Sequence, residues 1–436
     1  MSQLVTTVER LDEVAAQIGR VFVSNKPPYS QWDAESVPMA HDALQRPGDP
    51  SILLGLYVHI PFCRKRCKFC YFRVLTDKNS EQIRTYLDLV GAEAERYSSM
   101  PAVAGRPLHF VYFGGGTPSY LSAEQLSGLA QRLQGAISWD TAAEVAFECE
   151  PGTLTRTKLE AIRSIGVTRL SLGIENFDDE VLRINGRAHV STEIDRVRPW
   201  IRDLDFSQLN IDLIAGMLGE SWESWKQTVA RTIEYEPDSV TLYQLELPFN
   251  TVFSRDVMKG ESEAKFAGWS LKRDWHAYAF AEFEAAGYER WSAYTVLKSD
   301  RKPRPRFVYA DSVWHGSDMI GAGVSSFSHV GGVHFQNRDR WDDYLATAGD
   351  ELPIARAFVT TPEERCTREL ILHLKTGTAD LSYFSEKFGC DVTEAYTVAL
   401  GSLHDDGLAE VRDGRLVLTD EALLRVDQLL PRFYDS

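Results

Sequence analysis

Short runs of β-branched and aromatic residues alternate with amphipathic stretches along the first half of the chain. Six runs predict strands, at residues 55–60, 108–116, 144–151, 167–176, 209–217 and 238–247. Between them, apolar residues recur at helical spacing and predict helices at residues 80–97, 122–133, 156–165, 192–201 and 222–235. Strands that alternate with helices form βαβ units, so the pattern predicts an α/β fold with a parallel sheet.

The pattern changes after residue 287. Residues 287–306 are basic and interrupted by prolines, which predicts a loop. From Thr361 onward, three helical stretches precede LAEVRDGRLVLT, in which Asp-Gly predicts a hairpin turn. This order is typical of a winged-helix-like cap. Residues 391–406 contain no Lys or Arg, so we do not expect this cap to bind DNA.

Composition narrows the class of protein further. The chain has 436 residues, of which 44% are hydrophobic and 25% charged, and its net charge is −16. No apolar stretch is as long as a membrane span, the N-terminus lacks a signal-peptide pattern, and the basic residues are scattered. We therefore expect a cytoplasmic protein that binds neither nucleic acid nor membrane. Six cysteines, three of them clustered, suit a reducing compartment better than a disulfide framework.

The clustered cysteines, Cys63, Cys67 and Cys70, carry the most specific chemistry in the sequence. A C-x-x-x-C-x-x-C loop offers three thiolates, whereas a structural zinc site needs four ligands. Three sulfurs can hold three irons of a [4Fe–4S] cluster and leave one iron open to a ligand. We interpret Cys149, Cys366 and Cys390 as buried packing residues. Three structural cysteines without metal are the alternative.

A glycine run, Gly114, Gly115 and Gly116, follows the second predicted strand and continues as Thr117 and Pro118. Without side chains, these residues would let the backbone approach a ligand closely. A tight strand-to-helix turn would have the same sequence, so the run alone is a weak signal.

Together these motifs resemble the radical SAM (S-adenosylmethionine) superfamily. The segments YVHIPFC, FGGGTP, FECEP, SLGIENF, INGRAH, NIDLIAG and GAGVSSFSH resemble the subgroup typified by oxygen-independent coproporphyrinogen III oxidase, over residues 51–345. The resemblance implies a partial (β/α)6 barrel, similar to a TIM barrel, with ligands at the carboxyl ends of the strands. It also implies a [4Fe–4S] cluster and S-adenosylmethionine (SAM), two molecules in some members.

The resemblance implies a set of cofactor-binding residues. The first SAM would contact Tyr57, Gly115, Glu148 and Glu246, with Gly114 in the same glycine run. The second would contact Phe69, Gly116, Thr117, Glu175, Arg187 and Asp212, while Val324 and Phe327 would lie near the adenosyl groups. A buried ion pair inside the barrel is the alternative for the charged members. His315, His329 and His334 are more simply structural, so the sequence assigns no catalytic acid or base.

Departures from the oxidase pattern suggest a branch of the subgroup. Where the oxidases continue the cysteine loop as C-x-C, this chain has Tyr71 and Phe72, and it has Glu175 in place of the oxidase glutamine. The aromatic pair is similar to class C radical SAM methylases and cyclopropanases of natural-product (antibiotic) biosynthesis. We therefore expect a radical SAM C-methyltransferase or cyclopropanase acting on an sp2 carbon of a small molecule. Coproporphyrinogen-oxidase-like porphyrin chemistry and a haem chaperone are the alternatives.

The same resemblance divides the chain into four regions and implies partners. The regions are an N-terminal arm at 1–50, the barrel at 51–300, an oxidase-like extension at 301–360 and the winged-helix-like C-terminal cap at 361–436. An electron donor such as flavodoxin or ferredoxin would reduce the cluster, and a separate methyltransferase is a candidate partner.

Overall fold

The computed structural model describes residues 26–260, 266–347 and 351–434. The beginning of the predicted N-terminal arm, residues 1–25, lies outside these ranges. Within the described ranges, the search for a helix that is both long and apolar enough to cross a bilayer finds none.

Six parallel strands form the centre of the molecule, in the order β1 to β6. Their bounds are β1 (Leu54–Ile60), β2 (Leu108–Gly115), β3 (Glu144–Cys149), β4 (Arg169–Glu175), β5 (Gln208–Ala215) and β6 (Ser239–Gln244). The strands are buried along most of their length, because helices cover one face and the barrel interior the other. The α/β expectation and the partial barrel are thereby confirmed.

Helices connect these strands where the periodicity predicts them. Those of the first 345 residues are α1 (Val37–Leu44), α2 (Ser80–Ser99), α3 (Ala123–Ala136), α4 (Arg156–Ser164), α5 (Asp179–Ile184), α6 (Ser191–Leu204), α7 (Trp222–Tyr235), α8 (Val252–Met258), α9 (Trp269–Ala285), α10 (Val308–Trp314) and α11 (Trp341–Leu345). Asn79 and Ser122 start α2 and α3 with complete capping boxes. Both α2 and α3 therefore begin at a residue whose side chain accepts hydrogen bonds from the first backbone N–H groups of the helix.

The sheet extends beyond the six central strands on both sides. Next to β6 lie β7 (Tyr288–Arg290) and β8 (Thr295–Lys298), and next to β1 lie β9 (Asp318–Ala322), β10 (Phe327–Val330), β11 (Val333–Asn337) and β12 (Ile354–Val359). The prediction of a loop at residues 287–306 was thus wrong for β7 and β8. Without β8, the backbone of β6 would have an unpaired edge at this point. β8 pairs antiparallel with that edge.

The C-terminal region has its own apolar core. It contains α12 (Pro362–Leu374), α13 (Leu381–Phe388), α14 (Val392–Ala395), α15 (Thr397–Asp405), α16 (Asp420–Leu423) and α17 (Val426–Leu429), with a sheet of β13 (Thr378–Asp380), β14 (Ala409–Arg412) and β15 (Arg415–Leu418). Asp413 and Gly414 take the positive φ angles, 50° and 72°, of the predicted hairpin turn. The division of the chain into four regions, at residues 1–50, 51–300, 301–360 and 361–436, remains a prediction.

Candidate functional site

A cavity of about 420 Å3 opens at the carboxyl ends of the central strands. This is where a barrel of this type holds its ligands. The cysteine loop, the glycine loop after β2, the ends of β3 to β6 and a C-terminal segment, residues 423–428, line it together. Most of the residues that the sequence analysis singled out meet here: Cys63, Cys67, Phe69, Cys70, Gly115, Gly116, Thr117, Glu148, Glu175, Arg187, Asp212 and Glu246.

The three cysteine side chains share this cavity and are held by polar neighbours. Cys63 Sγ lies 3.3 Å from the Thr117 hydroxyl, and Arg187 Nη1 donates to Cys67 Sγ over 3.3 Å. Burial raises the pKa of the Cys63 thiol to about 12 and that of Cys70 to about 11. Without metal these two thiols are therefore neutral, and binding iron would release their protons.

The donor set fits a cluster better than a single ion. Among the described residues, no group of three or more His, Cys, Asp or Glu side chains could hold one metal ion. Three thiols around one cavity, each close enough to influence the titration of another, suit an iron–sulfur cluster with one iron left open. Cys63, Cys67 and Cys70 would hold that cluster.

The glycine loop is glycine for a reason that the sequence analysis missed. A Cβ on Gly115, whose φ is +114°, would lie 2.6 Å from the His59 ring, and one on Gly116 would lie 2.8 Å from the Pro61 carbonyl carbon. The protein's own first strand thus excludes side chains at these positions. The close approach of His59 and Pro61 to the glycines also holds the loop beside the cysteines.

Two carboxyl groups lie on neighbouring parts of the barrel mouth. Tyr112 donates a 2.7 Å hydrogen bond to Glu148, and Ser171 donates one of 2.8 Å to Asp212. Burial raises the pKa of Glu148 to about 7, although the Tyr112 hydrogen bond opposes that rise. Burial also raises the pKa of Asp212. Arg169 opposes both rises, but burial outweighs it, so a positively charged ligand would compensate further for the lost hydration of these carboxyl groups.

Glu175 and Arg187 form a buried pair 3.6 Å apart. Glu175 has a φ of 66° at a register shift of β4, which is unusual for a residue with a side chain and turns the carboxyl toward the cavity. Burial opposes the charge of Arg187, but Cys67 and Glu175 outweigh it and raise the pKa of the guanidinium. Arg187 therefore links the cysteine loop to β4.

Four predicted cofactor residues do not line the cavity. Tyr57 bonds to His59, and Gly114 lies between Tyr112 and Glu148 behind the glycine loop. Val324 donates its N–H to the Tyr86 hydroxyl, and Phe327 packs against Tyr29 and Trp32 from the segment before β1. Tyr57 and Gly114 nevertheless lie next to the cavity residues Tyr112 and Glu148, and the assignment of all four remains a prediction.

The far side of the cavity contains residues that sequence reasoning missed. Gln244 is the last residue of β6. Asp427 comes from the C-terminal region and accepts hydrogen bonds from Tyr294 and Lys375. We call Gln244, Glu246 and Asp427 the acceptor wall, because each presents oxygen acceptors to this side. Asp427 is distant in sequence from Gln244 and Glu246 and shares no motif with them. The sequence therefore gives no signal that the three residues lie together.

Tyr71 and Phe72, which the sequence analysis used as a class marker, lie at the mouth of the cavity. Their ring centroids are 4.3 Å apart, and the residues are 37% and 41% exposed. A partly exposed aromatic pair of this kind covers the cavity mouth and has no contact specific to one reaction.

Comparison with known proteins supplies the family. Residues 57–231 match the radical SAM superfamily, and residues 360–425 match the HemN C-terminal domain. The chain therefore contains a region of the radical SAM superfamily and, after it, a HemN C-terminal domain. Its cofactors are accordingly a [4Fe–4S] cluster and SAM, and its reaction needs an electron donor.

Its relatives are oxidases and haem chaperones. The chain is 27% identical over 397 residues to oxygen-independent coproporphyrinogen III oxidase of Salmonella typhimurium, covering 86% of this chain and 84% of that protein. It is 24% identical over 380 residues to heme chaperone HemW of Bacillus subtilis, covering 86% and 98%. The structure of coproporphyrinogen III oxidase (HemN) from Escherichia coli matches with a TM-score of 0.82 and 25% identity, covering 95% of this chain and 97% of that one.

These matches correct the functional expectation. The prediction of a C-methyltransferase or cyclopropanase was wrong, since the similarity runs to oxidases and chaperones along almost the whole chain. The error came from Tyr71 and Phe72, because an aromatic pair that lines the cavity does not by itself identify the reaction. A role in antibiotic biosynthesis and a partner methyltransferase lose their support with it.

Proposed function

We propose that this chain is an oxygen-independent radical SAM enzyme that acts on a porphyrinogen, in the manner of coproporphyrinogen III oxidase. The match to that oxidase over 95% of the chain, with a TM-score of 0.82, carries the proposal. The cavity supports it, because the cysteine loop, the glycine loop and the buried carboxyl groups all line one space.

In this proposal each side chain has a defined task. Cys63, Cys67 and Cys70 would hold the cluster, which, when bound and reduced by flavodoxin or ferredoxin, would supply the electron for radical chemistry on SAM and so for removal of hydrogen from a substrate carbon. Glu148, beside the glycine loop, holds the cationic end of a first SAM. Arg187, Glu175 and Asp212, with Phe69 and Thr117, hold a second SAM, with the guanidinium on its carboxylate.

The reaction expected is oxidative decarboxylation of a propionate side chain. The substrate loses one hydrogen atom to the deoxyadenosyl group, one carbon dioxide and one electron, and a vinyl group remains. Barrel and C-terminal region enclose the cavity, which keeps water from the reacting carbon.

The test is turnover without oxygen. Protein reconstituted with iron and sulfide is incubated with SAM, dithionite, a one-electron acceptor and coproporphyrinogen III. We expect vinyl products, carbon dioxide and 5′-deoxyadenosine. Deoxyadenosine without any change in the tetrapyrrole would contradict the proposal.

A haem chaperone is the second candidate, because the match to HemW spans 98% of that protein. This function predicts stable haem binding and transfer of haem to an acceptor protein. Stoichiometric haem binding by the reconstituted protein, together with no vinyl product, would favour it over the oxidase-like function.

A further inference from the structure

The acceptor wall differs from the rest of the cavity because some of its acceptors lack donors. Gln244 donates through Nε2 to the Leu424 carbonyl over 2.9 Å, which leaves its Oε1 buried and without a partner among the described residues. Glu246 is half-buried in the cavity lining, and burial and neighbouring charges set its titration, with no hydrogen bond contributing. A buried acceptor without a donor costs about 1–3 kcal/mol, so such a wall is completed by a ligand that donates.

The cations near the wall are already engaged. Lys375 Nζ lies 3.0 Å from Asp427 Oδ1, and Lys272 Nζ donates to the Leu245 carbonyl over 2.8 Å. Arg425, which also lines the cavity, pairs through Nη2 with Glu421 over 2.9 Å, while its buried Nε has no partner among the described residues. The Gln244 oxygen and the Glu246 carboxyl are therefore left to accept a hydrogen bond from a ligand.

Tetrapyrroles differ in the donors that they can offer to such a wall. A porphyrinogen has sp3 carbons between its rings, so its pyrrole N–H groups can tilt out of the mean plane and reach acceptors on one side. In a flat porphyrin the remaining N–H groups lie inside the macrocycle, and in haem the iron replaces them.

Building on the proposed function, we propose that Gln244, Glu246 and Asp427 bind the pyrrole N–H groups of a porphyrinogen. Bound in this way, the substrate faces the wall with its donors and directs its propionates to the rest of the cavity, which contains the cysteine loop. The wall then selects a porphyrinogen over a flat porphyrin or haem.

SAM is a second source of N–H donors, because its α-ammonium group could also reach Glu246, as the family resemblance implies. The two sources are separated by measuring both ligands on the same variants. Glu246→Gln keeps the shape and one acceptor of the side chain, while Glu246→Leu keeps only the bulk. Glu410→Gln is the matched control, because Glu410 is an exposed residue on β14, outside the cavity.

Anaerobic binding to the reconstituted protein is measured for coproporphyrinogen III, coproporphyrin III, haem and SAM. We expect the unmodified protein to bind coproporphyrinogen III about tenfold more tightly than the two flat ligands, as one charged hydrogen bond provides. Glu246→Leu should remove that preference, Glu246→Gln should reduce it about threefold, and Glu410→Gln should leave it intact. SAM affinity should change less than twofold in all variants.

Three outcomes would overturn the inference: equal affinity for the porphyrinogen and the flat ligands, an unchanged preference in Glu246→Leu, or weakening of SAM alone. None of these three outcomes contradicts the proposed function, provided that vinyl product still forms. Vinyl product from no variant, and none from the unmodified protein, would instead refute the proposed function.

Discussion

The two sides of the cavity differ in how their polar groups are paired. On the cysteine side, Arg187 bonds to Cys67 and pairs with Glu175, and Tyr112 donates to Glu148. On the acceptor wall, Gln244 Oε1 has no partner among the described residues, and no hydrogen bond contributes to the titration of Glu246. Arg187 Nε has no partner among the described residues, so the contrast concerns the acceptors. Acceptors that are paired in advance suit cofactors that stay in one place, and acceptors without donors suit a substrate that enters and leaves.

The largest effect is expected on the cysteine side. Cys63→Ala leaves two thiols, which cannot hold the cluster, so bound iron and 5′-deoxyadenosine production should fall to background. Iron and sulfide analysis and product chromatography measure both. Cys390→Ser, in the C-terminal region, is the control and should retain both properties. Normal deoxyadenosine production by Cys63→Ala would remove the basis of the cluster assignment.

The next effect concerns the buried pair. Arg187→Met leaves the Glu175 carboxylate buried without its cation, which should lower the free energy of unfolding by about 3–5 kcal/mol. The double variant Arg187→Met/Glu175→Gln should recover much of that loss, because no charge is stranded. Urea unfolding of the metal-free protein measures it. A double variant as unstable as the single one would show that the pair is not the cause.

Glu148 predicts an unusual dependence of stability on pH. Its folded pKa, about 7, lies above the ordinary value for Glu, so between pH 4.5 and 7 the folded state binds more protons than the unfolded state. The contribution of this group to stability is therefore full below pH 4.5 and is lost as pH rises toward 7. In the SAM-free protein, the free energy of unfolding of Glu148→Gln should therefore decrease less between pH 4.5 and 7 than that of the unmodified protein, by about 2–3 kcal/mol. Thermal unfolding at several pH values measures it, and an equal slope in the variant would contradict the prediction.

The smallest effect is expected on the acceptor wall, where a substitution should raise the free energy of unfolding instead of lowering it. Burial raises the pKa of Glu246 to about 8, with Asp427 adding to the rise, so holding this carboxyl in the fold costs stability at neutral pH. Glu246→Gln should raise the free energy of unfolding by about 1 kcal/mol, as expected where function opposes stability. Urea unfolding at neutral pH tests this, and a loss of stability would show that Glu246 is paired after all.

The sequence predicted the central strands and their helices well, because burial on both faces gives each strand a continuous apolar run. It also predicted the cysteine side, whose residues stand in short motifs at strand ends. It missed β7 and β8, since proline and basic residues conceal a hairpin that forms only against the edge of β6. It missed the acceptor wall for a similar reason, because Gln244 and Asp427 meet only through tertiary packing.

The bond between Lys375 and Asp427 has a consequence for how the protein is made. The barrel strands precede residue 245, while the segment that completes the cavity, residues 423–428, is translated far later. Because N-terminal regions fold first during synthesis, the cysteine loop is formed while the cavity is still open on that side. The part of the cavity lining that residues 423–428 supply is thus added after the cysteine loop has formed.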